Sequence, residues 1–286
     1  MTAAPSEQPS PERSSAEQPR AGRNLPVAIG VGIALAALVL GTLYTVKEFF
    51  VALVVLAVAI ACHELSTALA GQRIDVPVVP LMAGSAIMLI AAYADGTDAL
   101  AVALALSIVA VIASRIAVPS SGRLKRDLAV GVFVVVYVPL LASFAMVMAR
   151  RPDGADQLVV FILAVVLSDT GGYAAGVLFG RHPMAPTVSP KKSWEGFAGS
   201  MAFGVIGIAI AFPLLLSGHW WQGAILGALV VVTATVGDLG ESLIKRDLGV
   251  KDMGKLLPEH GGVMDRLDSL LPSAPVVAVL LVLMVG

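Results

Sequence analysis

Apolar runs of about twenty residues follow one another from Leu25 to the C-terminus, with only short polar interruptions. That pattern excludes most ways in which a chain of 286 residues can fold. Hydrophobic residues make up 57% of the chain and charged residues 14%, and the mean hydropathy is +0.88. A soluble core has no use for so much apolar surface. In hydrocarbon every backbone N–H and C=O must find its partner inside its own segment, which favours helices. The expectation is an all-α polytopic membrane protein. The formal net charge of -1 argues against a nucleic-acid partner. The single cysteine, Cys62, lies in an apolar run and excludes a disulfide within the chain.

Nine transmembrane spans are expected, at 25 to 45, 48 to 69, 76 to 94, 98 to 118, 127 to 149, 157 to 180, 196 to 217, 222 to 244 and 267 to 285. Residues 1–24, rich in Pro, Ser, Glu and Gln without apolar periodicity, read as a disordered cytosolic tail. Residues 25–150 then form an N-terminal set of membrane helices, and 151–286 a C-terminal catalytic region. With the N-terminus cytosolic, the inner segments carry Arg73, Arg115, Arg123, Lys125, Arg126, Arg181, Lys191, Lys192, Lys245, Arg246, Lys251, Lys255 and Arg266, besides the arginines of the tail. The outer segments carry only Lys47, Arg150 and Arg151. This positive-inside bias places the C-terminus outside and the two longest polar connections, 181–195 and 245–266, at the cytosolic face of the plasma (inner) membrane.

Both connections mix lysine with glycine, proline, carboxylate and histidine, a composition that suits a site better than an anchor. On the eighth span Asp238, Glu241, Ser242 and Lys245 fall at i, i+3, i+4 and i+7, a polar stripe on an apolar helix. A lone carboxylate at membrane depth costs about 2.5 to 3.5 kcal/mol, so a cation or a water-filled cavity must face it. Asp265 and Asp268 form a second carboxylate pair where the ninth span begins. If the two helices pack side by side, Asp238 and Asp265 converge on one divalent ion, and oxygen-only ligation favours Mg²⁺. An ion pair of Asp238 with Lys245 is the bland alternative, but it leaves the other carboxylates uncompensated. Between the helices, Lys251 and Asp252 precede Pro258-Glu259-His260-Gly261-Gly262, where paired glycines can turn N–H groups toward an anion or simply make a tight bend. His260 is as well suited to bracing a loop as to proton transfer.

A second constellation runs from Ser168-Asp169-Thr170-Gly171-Gly172-Tyr173, inside the sixth span, to Ser189-Pro190-Lys191-Lys192-Ser193-Trp194-Glu195-Gly196. Asp169 should face a cavity, not lipid. Lys191 and Lys192 can grip a headgroup or a triphosphate, and Gly172 and Gly176 serve equally well as packing notches.

The run from Ser242-Leu243-Ile244-Lys245-Arg246 through Lys251-Asp252-Met253-Gly254 to Pro258-Glu259-His260-Gly261-Gly262-Val263-Met264-Asp265-Arg266-Leu267-Asp268 resembles the signature of the phosphatidate cytidylyltransferase family. The Ser189–Gly196 run and the Asp169 region are similar to further stretches of that family, whereas residues 1–150 resemble it only in hydropathy. Glu259, Ser193 and Ser200 depart from the family's usual residues. The resemblance implies a nine-span homodimer that uses Mg²⁺, with K⁺ as a candidate second ion, and makes CDP-diacylglycerol and pyrophosphate from CTP and phosphatidic acid. On that reading Asp238 and Asp265 hold metal, with Asp169 and Asp268 near a second cation. Lys245, Arg246, Lys251, Asp252 and His260 form the catalytic set. Ser189, Lys191, Lys192, Ser242, Gly261, Gly262 and Arg266 bind substrate. The rival readings are a CTP-dependent lipid kinase, a cytidylyltransferase for another lipid phosphate, and, from a different class, a secondary transporter. A transporter usually places its interrupted helices in both halves, and the polar motifs here crowd into one.

Overall fold

The computed structural model describes residues 25–118, 123–254, 256 and 261–285. The expectations for the tail 1–24, for Lys255 and for His260 with its neighbours Pro258 and Glu259 lie outside the described residues. Among the described residues nine helices follow one another in chain order: α1 Leu25–Thr45, α2 Lys47–Gly71, α3 Val78–Asp95, α4 Thr97–Ala117, α5 Leu124–Ala149, α6 Gly154–Phe179, α7 Trp194–Leu216, α8 Trp220–Leu248 and α9 Met264–Val285. Helices α2 to α9 are each long and apolar enough to cross a membrane. The chain is an all-α polytopic membrane protein, and each expected span matches one helix to within a few residues.

The helices end where their backbone must turn. Gly96, at φ 79°, closes α3 by donating its N–H to Ala92 O and opens α4. Gly249, at φ 67°, ends α8 in the left-handed conformation that glycine reaches without a Cβ penalty. Inside α5 the ladder loosens into a π-helical turn at Val136–Leu140, where Pro139 has no N–H to donate. Between α6 and α7 lies an element absent from the span pattern. Strand β1, Pro183–Ala185, pairs antiparallel with β2, Ser189–Ser193, so the expected polar connection is a hairpin.

Large apolar side chains such as Met88, Leu89, Met146 and Leu158 fill the core, while Ile206, Leu214 and Leu283 point outward, as a lipid-solvated surface requires. Arg115, counted above among the charges that set topology, is in fact buried. It donates to Asp127 at 2.7 and 3.2 Å and lies 3.5 Å from Asp75, tying α4, α5 and the α2–α3 connection together.

Three helix pairs of the second half approach through glycines. A Cβ on Gly171 of α6 would meet Gly199 O of α7 at 2.6 Å, and one on Gly204 of α7 would meet the Val231 side chain of α8 at 2.6 Å. A Cβ on Gly237 of α8 would collide with Asp268 O and meet the Pro272 ring at 2.8 Å. These close crossings bring the polar residues of α6, α8 and α9 to one place.

Candidate active site

The hairpin and the polar ends of α6, α7 and α8 enclose a cavity of about 310 Å³, lined by Asp169, Tyr173, Lys191, Lys192, Ser193 and Asp238 among others. Local chemistry fixes its walls. Ser193 caps α7 by accepting the Gly196 N–H at 3.1 Å. Glu195, in the first turn of α7, accepts the N–H groups of Arg181 and His182 at 3.1 and 3.2 Å and pairs with the His182 ring. The hairpin is therefore clamped to the helix that follows it. From the far side Arg246 of α8 donates to Val188 O at 3.3 Å, at the hairpin turn.

Lys192 reaches from β2 to Asp238 of α8, 2.6 Å away, and Ser242 donates to the other Asp238 oxygen at 3.3 Å. The ion pair of Asp238 with Lys245, the alternative weighed against a metal, does not form. Lys245 instead contacts Glu241 at 2.5 Å and Asp265 at 3.0 Å. The reason is reach: Glu241 lies one turn back on α8, while Asp238 lies about two turns back, some 10 Å along the axis. Asp265 also accepts the N–H groups of Met253 at 3.0 Å and Gly262 at 2.8 Å. The stripe of α8 and the start of α9 thus meet through Lys245.

The Gly262 N–H is consequently turned toward Asp265, and Gly261 takes φ 79° beside the Asp252 Cβ. In this arrangement Gly262 serves a bend, one of the two roles its spacing allows. Lys251 and Asp252 are exposed in the segment after α8, Lys191 is exposed on β2, and Ser189 is half-buried at its start. Arg266 is exposed at the start of α9 and is close enough for its charge to act on Asp169.

The charges of Asp238, Asp268 and Lys192 act on Asp169 as well, and the charge of Asp268 acts on Glu241. Glu241 is fully buried, and its Oε1 has no donor among the described residues. A buried carboxylate oxygen without a donor, beside further carboxylates, is best met by a proton or a cation. Asp169, Asp238, Glu241, Asp265 and Asp268 together outnumber Lys192, Lys245 and Arg266, so the donor set fits a hard cation with oxygen ligands. Among the described residues no three acidic or histidine side chains close into a ready-made metal cage. An ion that keeps its waters and shares substrate phosphate oxygens suits that openness. Asp265, whose oxygens already accept from Lys245 and two amides, is the least available ligand of the group.

Several contributors escaped the motif reading. Glu64 on α2 accepts the Met264 N–H at 2.9 Å, and Gln72 donates to Leu248 O at 2.9 Å at the end of α8. The signal for Glu64 was present, an acidic residue in an apolar run, but nothing nearby in sequence named its partner.

Comparison with known proteins gives a consistent result. Residues 26–284 match the model of the cytidylyltransferase family. A Mycobacterium bovis phosphatidate cytidylyltransferase is 40% identical over 300 residues, covering 99% of this chain and 97% of the relative. A Mycobacterium leprae protein of the same name is 39% identical over 287 residues, covering 95% and 92%. A Staphylococcus haemolyticus relative, also so named, is 36% identical over 159 residues, covering 55% and 60%.

Proposed function

This chain belongs to the cytidylyltransferase family, and from that premise we propose that it transfers the cytidylyl group of CTP to phosphatidic acid, giving CDP-diacylglycerol and pyrophosphate. A phosphate oxygen of phosphatidic acid attacks the α-phosphorus of CTP in line. The new bond joins that oxygen to the α-phosphorus, the bond from the α-phosphorus to the bridging oxygen of the β-phosphate breaks, and pyrophosphate leaves. The attacking oxygen is already anionic near neutral pH, so no base is required. The difficulty is the approach of two anions, and the protein's work is positioning and charge neutralisation.

The observation that carries this reading is the Lys192–Asp238 pair in the wall of a polar cavity, with Asp169 and Asp268 close by. Lys191 and Lys192, on a hairpin clamped by Glu195, offer ammonium groups to a triphosphate or a lipid phosphate. Ser193, Gly172 and Gly176 line the cavity beside those groups. Lys245 holds the buried Glu241 and Asp265 in place, and Arg246 ties the hairpin to α8. Asp238, with Asp268 and Asp169, would hold Mg²⁺, and Asp265 would join only by giving up a present partner. Mg²⁺ bound there would lower the repulsion between the two phosphates. The same reading puts the hairpin and the α8–α9 connection at the cytosolic face, where CTP is found.

Purified enzyme assayed in detergent with CTP, phosphatidic acid and Mg²⁺ tests the proposal. Lys192→Met and Asp238→Asn should each lower kcat/KM by about 100-fold or more while the protein still folds. Wild-type kcat/KM in both variants would remove the pair from the reaction.

A further inference from the structure

The turn that leads into α9 is held by a side chain from the other half of the protein. Glu64 sits on α2 and is 8% exposed. Its Oε2 accepts the Met264 N–H at 2.9 Å, across 200 residues of sequence. Two glycines of the signature run pack against the same carboxylate. A Cβ on Gly262 would lie 2.5 Å from Glu64 Oε2 and 2.6 Å from Gly254 N, and a Cβ on Gly254 would collide with Glu64 Oε1. Gly254 and Gly262 are therefore small because a carboxylate from α2 occupies the space between them.

That contact lies one residue from Asp265. The Gly262 N–H goes to Asp265 Oδ2, and the Met264 N–H, two residues on, goes to Glu64. Two carboxylates thus hold one short turn by nearly adjacent amides, one carboxylate from the turn's own end and one from α2. The Met264 N–H belongs to the first turn of α9, which has no helix carbonyl to donate to and where a carboxylate is favoured by the helix dipole. Packing alone does not call for an acidic residue here, because an apolar side chain on α2 would carry no desolvation penalty. What the carboxylate adds is a fixed register for residues 262–265 against α8.

We propose that Glu64 is a positioning residue for the reaction: it locks the Gly262–Met264 turn so that Asp265 meets Lys245 on the polar stripe of α8. The proposal rests on the reading above that Asp265 and Lys245 belong to the active site. It gives the N-terminal half of the chain a defined part in the chemistry of the C-terminal half.

The test uses the full chain in detergent, comparing wild type with Glu64→Ala, Glu64→Gln and Asp265→Asn. Steady-state rates with CTP and phosphatidic acid are measured beside hydrogen exchange of peptides covering 253–270 and 183–193. Glu64→Ala should lower kcat about 100-fold, the scale of a misplacement of about 1 Å, with KM for CTP unchanged. Exchange should quicken at 262–265 and stay as in wild type in the hairpin. Glu64→Gln keeps a carbonyl acceptor for Met264 and should recover to within about tenfold of wild type. Wild-type kcat in Glu64→Ala overturns the proposal, as does a loss of rate with unchanged exchange at 262–265. Faster exchange throughout the protein without recovery in Glu64→Gln makes the residue a packing element and overturns it too. Asp265→Asn separates this from the underlying reading. If it keeps the wild-type rate, the role of Asp265 falls. If it is inactive while Glu64→Ala is fully active, the positioning role alone falls.

Discussion

Lys245 illustrates how a single side chain decides the layout of the site. Its ammonium joins Glu241, which is fully buried, to Asp265, which is nearly so. Removing one member of a buried ionic cluster leaves uncompensated charge, which typically costs about 3–5 kcal/mol. Lys245→Met should therefore destabilise the protein by an amount of that order, read as an earlier thermal transition in detergent, whereas the exposed Lys251→Met should leave the transition where it is. The stripe Asp238, Glu241, Ser242 and Lys245 was legible in the sequence because helical spacing is regular. The partners were not. Lys192 reaches Asp238 from a hairpin 46 residues earlier, as the numbering shows, and no local rule connects them. Gly262 was ambiguous for the same reason, since the side chain that demands a glycine there, Glu64, comes from α2.

At the scale of elements, nine apolar runs became nine helices because the 20-residue length requirement and the backbone's need for internal partners leave few alternatives. The hairpin was not readable in the same way. Its strands of three and five residues carry prolines and lysines in place of an apolar alternation, and Glu195 and Arg246 hold it from outside. The π-helical turn of α5 was likewise hidden, although Pro139 marks its place. Gly172 and Gly176 of α6 were open to two readings, and the structure makes other glycines of α6 and α7 contact points between backbones. A Cβ on Gly199 would strike the Ala175 Cβ and Gly171 O. Gly199→Val should thus push α6 from α7 and cost about 1–3 kcal/mol, measured by thermal denaturation in detergent. It should also lower activity, because Asp169 and Lys192 are carried by elements on the two sides of that crossing.

For the molecule as a whole, we propose, from the distribution of lysine and arginine, a cytosolic N-terminus and an active site on the cytosolic side. Single cysteines in a Cys62→Ser background test this in intact cells. Asp98→Cys should react with a membrane-impermeant maleimide and Arg123→Cys should not, and the reverse result would invert the topology. The central claim concerns the bond that is broken. CTP labelled separately at its α- and γ-phosphorus, incubated with phosphatidic acid, Mg²⁺ and the purified protein, follows each phosphorus to its product. The α-label should appear in the lipid and the γ-label in pyrophosphate. A γ-label transferred to lipid with release of CDP would make the protein a kinase and contradict the account.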